Sequence, residues 1–92
     1  MEVRQLKIFA KAAETLNFSE ASKQLYITQS TLTQTIKQLE EELGVKLFDR
    51  NSHEVYLTEA GSELLAHVDS VISEIEECKA RILDLSLSLI HI

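Results

Sequence analysis

Residues 28–42 read T-Q-S-T-L-T-Q-T-I-K-Q-L-E-E-E. Gln29, Ser30, Thr31, Thr33 and Gln34 put amides and hydroxyls of short to middle length close together, and Lys37 adds one cation. No general base and no second nucleophile accompany them, so their chemistry is hydrogen bonding rather than bond making. Amides and hydroxyls on one face of a helix match the donors and acceptors on base edges in the major groove of DNA, where a glutamine can bond one adenine twice. A solvated helix face would have much the same composition, and on composition alone the two readings stand even. Three features favour the groove. The first half of the segment carries hydrogen-bonding groups in place of a Lys/Glu mix. The acids Glu40, Glu41 and Glu42 are held back to its last turn. The segment before it has the spacing of a helix-turn-helix.

The elements that must position this row follow from periodicity. Leu32, Ile36, Leu39 and Leu43 recur at i, i+4, i+7 and i+11, which predicts a helix with a buried stripe and with Ser30, Gln34, Lys37 and Glu41 opposite. Thr28 is its expected N-cap. Upstream, Ser19 is a good N-cap with Glu20 in the first turn, for a short helix ending near Leu25. Ala21 and Ser22 are small where a crossing helix must come close, and Leu25 and Ile27 face the core on either side of the turn. The helix-turn-helix spans about 18–37. A first helix over 3–16 carries Val3, Leu6, Phe9, Ala10 and Ala13 on one side. Asn17 is its expected left-handed stop. Gly44 ends the 28–43 helix in the same conformation, with Val45 packing back on Leu39. Two extended runs, 45–49 and 55–57, then enclose a polar tip over 51–54, which predicts a β-hairpin wing. Its Arg50 and His53 are candidates for backbone phosphate. Each also reads as a solvated loop residue, and for His53 that plainer reading is favoured.

Thr58 caps a last, long helix. Leu64, Val68, Val71, Ile75, Cys78, Ile82 and Leu85 alternate steps of four and three, with Leu65 and Ile72 beside them. That is a coiled-coil seam. A small head cannot cover all of it, so the spacing predicts a helix-to-helix dimer contact through Leu64, Val68, Val71, Ile75, Cys78 and Ile82. Cys78 reads as a small buried hydrophobe rather than a redox sensor.

Ninety-two residues with no Pro and two Gly suit one small helical domain with an appended helix. One Cys offers no internal disulfide, no apolar run approaches membrane-spanning length, and the charged start MEVRQLK is not a secretory signal. The expected location is therefore cytoplasmic. The net charge of −6 is unevenly spread: residues 1–57 hold seven Lys/Arg against eight Asp/Glu, and residues 58–92 hold two against seven. A nearly neutral head should bind phosphate weakly alone, since counterion release scales with the cations engaged. No paired carboxylates flank a Gly-rich turn, and His53, His67 and His91 are scattered. No enzymatic activity, catalytic residue, metal or cofactor is therefore expected.

Residues 1–66 resemble the N-terminal DNA-binding domain of LysR-type transcriptional regulators. The matching segments are Leu6-Lys7-Ile8-Phe9, Asn17-Phe18-Ser19-Glu20-Ala21-Ser22, Gln24-Leu25-Tyr26-Ile27-Thr28-Gln29-Ser30, Ile36-Lys37-Gln38-Leu39-Glu40, Leu43-Gly44-Val45-Lys46-Leu47-Phe48-Asp49-Arg50 and Leu57-Thr58-Glu59-Ala60-Gly61. The resemblance implies an all-α fold with a small β-hairpin wing, a winged helix-turn-helix over 1–58, and a linker helix over 59–86 that dimerises. It also implies a further C-terminal domain that takes a small-molecule effector, and a dimer or tetramer in the full-length protein. Members often carry Pro where Ser30 stands and Arg where Gln34 stands. Their wing tip usually holds Gly and Arg where Ser52, His53, Glu54 and Tyr56 stand here. These departures bear on affinity and on the base sequence read, not on the fold.

The expected function is therefore sequence-specific binding of double-stranded DNA by a dimeric transcription regulator. Gln29, Ser30, Thr33 and Gln34 would reach bases. Lys37, Arg50 and His53 would reach phosphate, with Ser19 and Thr28 at helix starts whose free N–H groups can hold one. The competing reading is a coiled-coil protein-interaction module without DNA binding, which the acidic tail permits. Residues 85–92 alternate like a strand. One codon spelling of the last six of them, 87–92, CTG TCT CTT ATA CAC ATC, is the end sequence of a transposon used to prepare sequencing libraries, so these six are expected to be a non-native tail on a fragment.

Overall fold

The computed structural model describes residues 1–51 and 54–90, with side chains to residue 87. Three helices, α1 (Val3–Thr15), α2 (Phe18–Leu25) and α3 (Gln29–Leu43), are followed by a hairpin of β1 (Phe48–Arg50) and β2 (Val55–Leu57) and by a long α4 (Glu59–Ile90). The strands pair antiparallel, Phe48 opposite Leu57 and Arg50 opposite Val55.

The core is where the apolar periodicities converge. Leu6, Phe9 and Ala13 of α1 meet Leu32, Ile36 and Leu39 of α3, and Ala21 of α2 is small enough to bring the helices together. Phe48 closes the hairpin over this core. Its ring lies 5.5 Å from Phe9 and edge-on to Phe18 at 5.2 Å. Each such aromatic contact is worth about 0.5–1.5 kcal/mol beyond area burial. Ile8 and Ala12 are buried as well. So is Thr35, whose hydroxyl donates to the Thr31 carbonyl at 2.9 Å, an internal bond that makes a polar core position tolerable.

The connections differ from expectation in detail. Leu16, not Asn17, takes the left-handed conformation after α1, at φ 50°. Asn17 is extended and caps α2, its Oδ1 accepting from the Glu20 N–H at 2.9 Å. Ser19 therefore lies inside the first turn of α2 and is not its cap. Tyr26 is also left-handed, at φ 56°, in the turn before α3. A non-glycine residue held there costs about 1–3 kcal/mol, which surrounding structure must offset. Thr28 and Gly44 bound α3 as expected: Thr28 Oγ1 accepts from the Thr31 N–H at 3.0 Å, and Gly44 sits at φ 72°. Val45, however, stays 46% exposed, and Leu43 is exposed too; Leu47 fills the core instead. The first strand accordingly starts at Phe48 and not at Val45.

Thr58 does cap α4, accepting from the Gly61 N–H at 3.0 Å. Val68 is only 1% exposed, sealed against the same chain's α1, with Leu64, Leu65 and Ile72 packed around it. The predicted dimer seam therefore divides. Leu64 and Val68 belong to the head, because α4 must first lie across α1 before it leaves the fold. Val71 and everything from Glu76 to Leu87 is exposed, Cys78 included, so the buried reading of that cysteine does not hold within one chain. Ile82 is 61% exposed. The alternating tail continues as helix to Ile90 rather than as strand, since a helix already running is extended at little cost. Among the described residues no helix is long and apolar enough to cross a membrane.

Gly61 marks the tightest approach. A Cβ there would lie 2.2 Å from the Leu47 carbonyl oxygen and 2.7 Å from a Leu57 methyl. Gly61→Ala is expected to cost about 1–3 kcal/mol, as overpacking does. Urea unfolding of the two proteins measures it, and an unchanged midpoint would mean that α4 can lift off the loop freely.

Candidate nucleic-acid interface

The stripe Leu32, Ile36 and Leu39 turns the opposite side of α3 outward. Gln29, Ser30, Gln34 and Lys37 are exposed there, with Thr33 half-buried beside them. Among the described residues, none of these five side chains makes a hydrogen bond or ion pair within the chain. Their polar groups are unspent. Elsewhere on the head, comparable groups are engaged: Gln5 Nε2 donates to Gln38 Oε1 at 3.4 Å and Gln24 Nε2 to Glu20 Oε1 at 3.2 Å. Thr31 is half-buried and shares a bond with Thr28, so it belongs to the cap and only borders the open row.

The charged groups sort in a similar way. Lys7 pairs with Glu76, Lys11 with Glu14, Lys46 with Glu40, Lys79 with Glu76, and Arg81 with Glu77. Among the described residues, Arg4, Lys23, Lys37 and Arg50 have no carboxylate partner. A hollow on one side of α3 is shared by Thr33, Lys37, Lys46 and Arg50 and by the carboxylates of Glu40 and Asp49. On the other side a second hollow is shared by Arg4, Ser30, Thr31 and Gln34. The Arg50 guanidinium lies 4.2 Å from the centre of the Phe18 ring, a cation–π contact that holds it beside the start of α2. Beside the open row of α3, Arg4, Lys37 and Arg50 are thus cations held in no ion pair among the described residues.

Two residues escaped the sequence reading. Arg4 looked like ordinary solvent-side charge on α1, and only tertiary packing brings it beside Gln34. Glu40 looked like one of three acids in a solvated turn. Its carboxylate is in fact turned inward, 13% exposed, with Oε2 accepting from the Leu47 N–H at 2.8 Å and from the Phe48 N–H at 3.4 Å. From the other side, the Thr58 N–H donates to the Leu47 carbonyl at 3.0 Å and the Thr58 hydroxyl to the Lys46 carbonyl at 2.7 Å. Glu40 and Thr58 between them fasten the root of the hairpin to α3 and α4. The spacing of Glu40 from the Gly44–Val45 break was the available signal, since a carboxylate one turn before a helix end can reach the N–H groups of the returning chain. His53 lies outside the described residues. Ser19 is exposed in the first turn of α2, and its carbonyl accepts from the Ser22 hydroxyl.

The model of the family described as bacterial regulatory helix-turn-helix protein, lysR family, matches residues 3–62. The chain belongs to this family. This LysR-family chain is 47% identical over 73 residues to the HTH-type transcriptional regulator ShiR of Corynebacterium glutamicum, a match covering 79% of this chain and 25% of that protein. It is 43% identical over 79 residues to the HTH-type transcriptional regulator YwqM of Bacillus subtilis, covering 86% and 27%. The chain thus spans about a quarter of the length of these relatives. Among solved structures it is similar to the CbnR DNA-binding domain in complex with DNA, with a TM-score of 0.89, 32% identity, and 94% and 99% of the two chains covered. Vibrio fischeri DarR in complex with DNA gives a TM-score of 0.89 at 31% identity, covering 95% of this chain and 30% of that one. The fold is the winged helix-turn-helix of LysR-type DNA-binding domains, with α2 and α3 as the motif and the hairpin as the wing.

Glu40→Ala leaves the Leu47 and Phe48 N–H groups without their acceptor and is expected to cost about 1–3 kcal/mol. Glu40→Gln, which keeps one acceptor oxygen, is expected to retain most of that. Hydrogen exchange at the Leu47 and Phe48 amides provides the check: it should quicken in the alanine variant well before the core amides do.

Proposed function

We propose that this chain is the DNA-reading part of a dimeric transcription regulator and that α3 enters the major groove. One observation carries the reading: an outward row of amides and hydroxyls on α3 with no partner among the described residues, with Arg4 on one flank and Lys37 and Arg50 on the other, none of the three in an ion pair. Gln29, Ser30, Thr33 and Gln34 are the base-reading candidates. A glutamine that bonds adenine twice would supply about 1–3 kcal/mol of discrimination. Lys37 and Arg50 contact phosphate, which sets register more than sequence. Thr28, at the start of α3, adds free backbone N–H groups to that grip. The likeness to proteins solved in complex with DNA supports a DNA partner for this chain.

Dimerisation runs through the part of α4 that leaves the head. Val71, Cys78, Ile82 and Leu85 are exposed and Ile75 is half-buried, and the five keep the four–three spacing. A second copy buries that row at the cost of ordering two already helical segments. Two heads on one duplex raise the effective concentration of the second contact, which offsets the small number of cations per head. In the full-length protein, effector binding would belong to the length of the relatives that this chain does not span.

Gln34→Ala with Lys37→Ala is expected to weaken duplex binding tenfold or more, on the order of one bidentate base contact and one phosphate contact, while the sedimentation behaviour stays that of the parent. Gel shift against a duplex selected by the parent chain, paired with analytical ultracentrifugation, separates this from an interaction module, for which the parent would select and shift no duplex while still self-associating. Val71→Asp with Ile75→Asp is expected to give a monomer with an intact head whose apparent affinity falls about a hundredfold. A monomer of undiminished affinity would show that pairing through α4 contributes nothing to binding.

A further inference from the structure

Arg4 is a cation with nothing to do inside the fold. It is exposed on the first turn of α1, and among the described residues its guanidinium has neither a carboxylate nor a hydrogen-bond partner. Its position is nevertheless controlled. The turn that carries it is tied to α3 by the Gln5–Gln38 bond at 3.4 Å and by the N-terminal ammonium on Glu42 at 2.9 Å. Arg4 then shares a hollow with Ser30, Thr31 and Gln34, on the side of α3 away from the hairpin. Arg50 occupies the matching place on the hairpin side, beside Thr33 and Lys37, with its guanidinium laid on the Phe18 ring. The open row of α3 thus runs between two guanidiniums that belong to two different elements.

A helix with its side chains is about 10–12 Å across and the major groove is about 12 Å wide, so a helix seated in it has one phosphate strand along each flank. We infer that Arg4 binds backbone phosphate on the strand opposite to the one bound by Arg50, so that the pair straddles α3 and fixes how deep and at what tilt it sits. This rests on the DNA-binding reading above. Lys37 is the single cation on α3, and a one-sided grip from Arg50 would leave the helix free to roll about that strand. A second guanidinium on the far flank removes this freedom, and a fixed roll is what lets Gln34 meet one base edge rather than two.

The test uses the chain and a synthetic duplex recovered by it from a random-sequence pool. Phosphate ethylation interference is compared for the parent, Arg4→Ala and Arg50→Ala, with titrations over a range of salt. Each variant should lose interference at phosphates on a different strand within each half-site. Each should also lower the slope of log affinity against log salt by about one per head. Arg4→Lys should keep the slope, and Arg4→Glu should weaken binding further than Arg4→Ala. Unfolding midpoints equal to the parent's keep the comparison about contact rather than folding. An unchanged interference pattern and salt slope in Arg4→Ala would overturn the inference, as would loss on the strand that Arg50 touches. If Gln34→Ala with Lys37→Ala still weakens binding in that case, the inference alone has failed. If the parent enriches no duplex at all, the DNA-binding reading fails with it.

Discussion

Leu32, Ile36 and Leu39 bury one side of α3 against α1, and in doing so decide which side of it stays outside. Everything functional about the head follows from that contact. The helix cannot rotate about its axis without exposing three large apolar groups, each worth about 1.5–3 kcal/mol of burial. Its polar row is therefore presented at a fixed angle by the core, not by any bond that the row itself makes. That leaves every amide and hydroxyl of the row free for a partner.

The hairpin needs its own anchor, because two three-residue strands are far too short to stand alone. It has three. Phe48 is wedged between Phe9 and Phe18, tilted to one ring and edge-on to the other, Glu40 accepts from the backbone where the chain turns back, and Thr58 holds the carbonyls on the other edge. Gly61 lets α4 start directly against that same loop. Recognition helix, wing root and linker helix consequently meet around Lys46 and Leu47, so a change in how α4 is held would be felt first at the wing root. The Lys7–Glu76 pair, at 3.7 Å between two half-exposed side chains, adds little to this, as surface ion pairs generally do.

The elements were legible in the sequence because their signals were periodic and local. The stripe of α3, the Thr28 cap, the Gly44 stop and the Thr58 cap are each written within one or two turns of chain. The open row from Gln29 to Lys37 was legible for the same reason. What could not be read depended on competition between neighbours or on packing. Asn17 is suited to a left-handed stop and also to an N-cap, and the cap prevailed because it satisfies an otherwise bare N–H of α2, leaving Leu16 to take the positive φ. The α4 seam is one unbroken pattern in sequence, yet Val68 serves the head and Ile82 does not, since only the fold determines where α1 stops covering the helix. Arg4 and Glu40 carry no local mark of their surroundings: one is brought to the flank of α3, and the other is folded under the hairpin.

Where a duplex touches the chain decides whether α3 is the surface that reads it. Amide chemical-shift mapping, with the selected duplex titrated into isotopically labelled protein, reads this residue by residue. The account predicts that the largest changes fall on Gln29 to Lys37, with smaller ones at Arg4 and Arg50, and that Leu6, Phe9 and Leu39 in the core move little. Changes concentrated on the exposed half of α4, with the outer row of α3 silent, would contradict it.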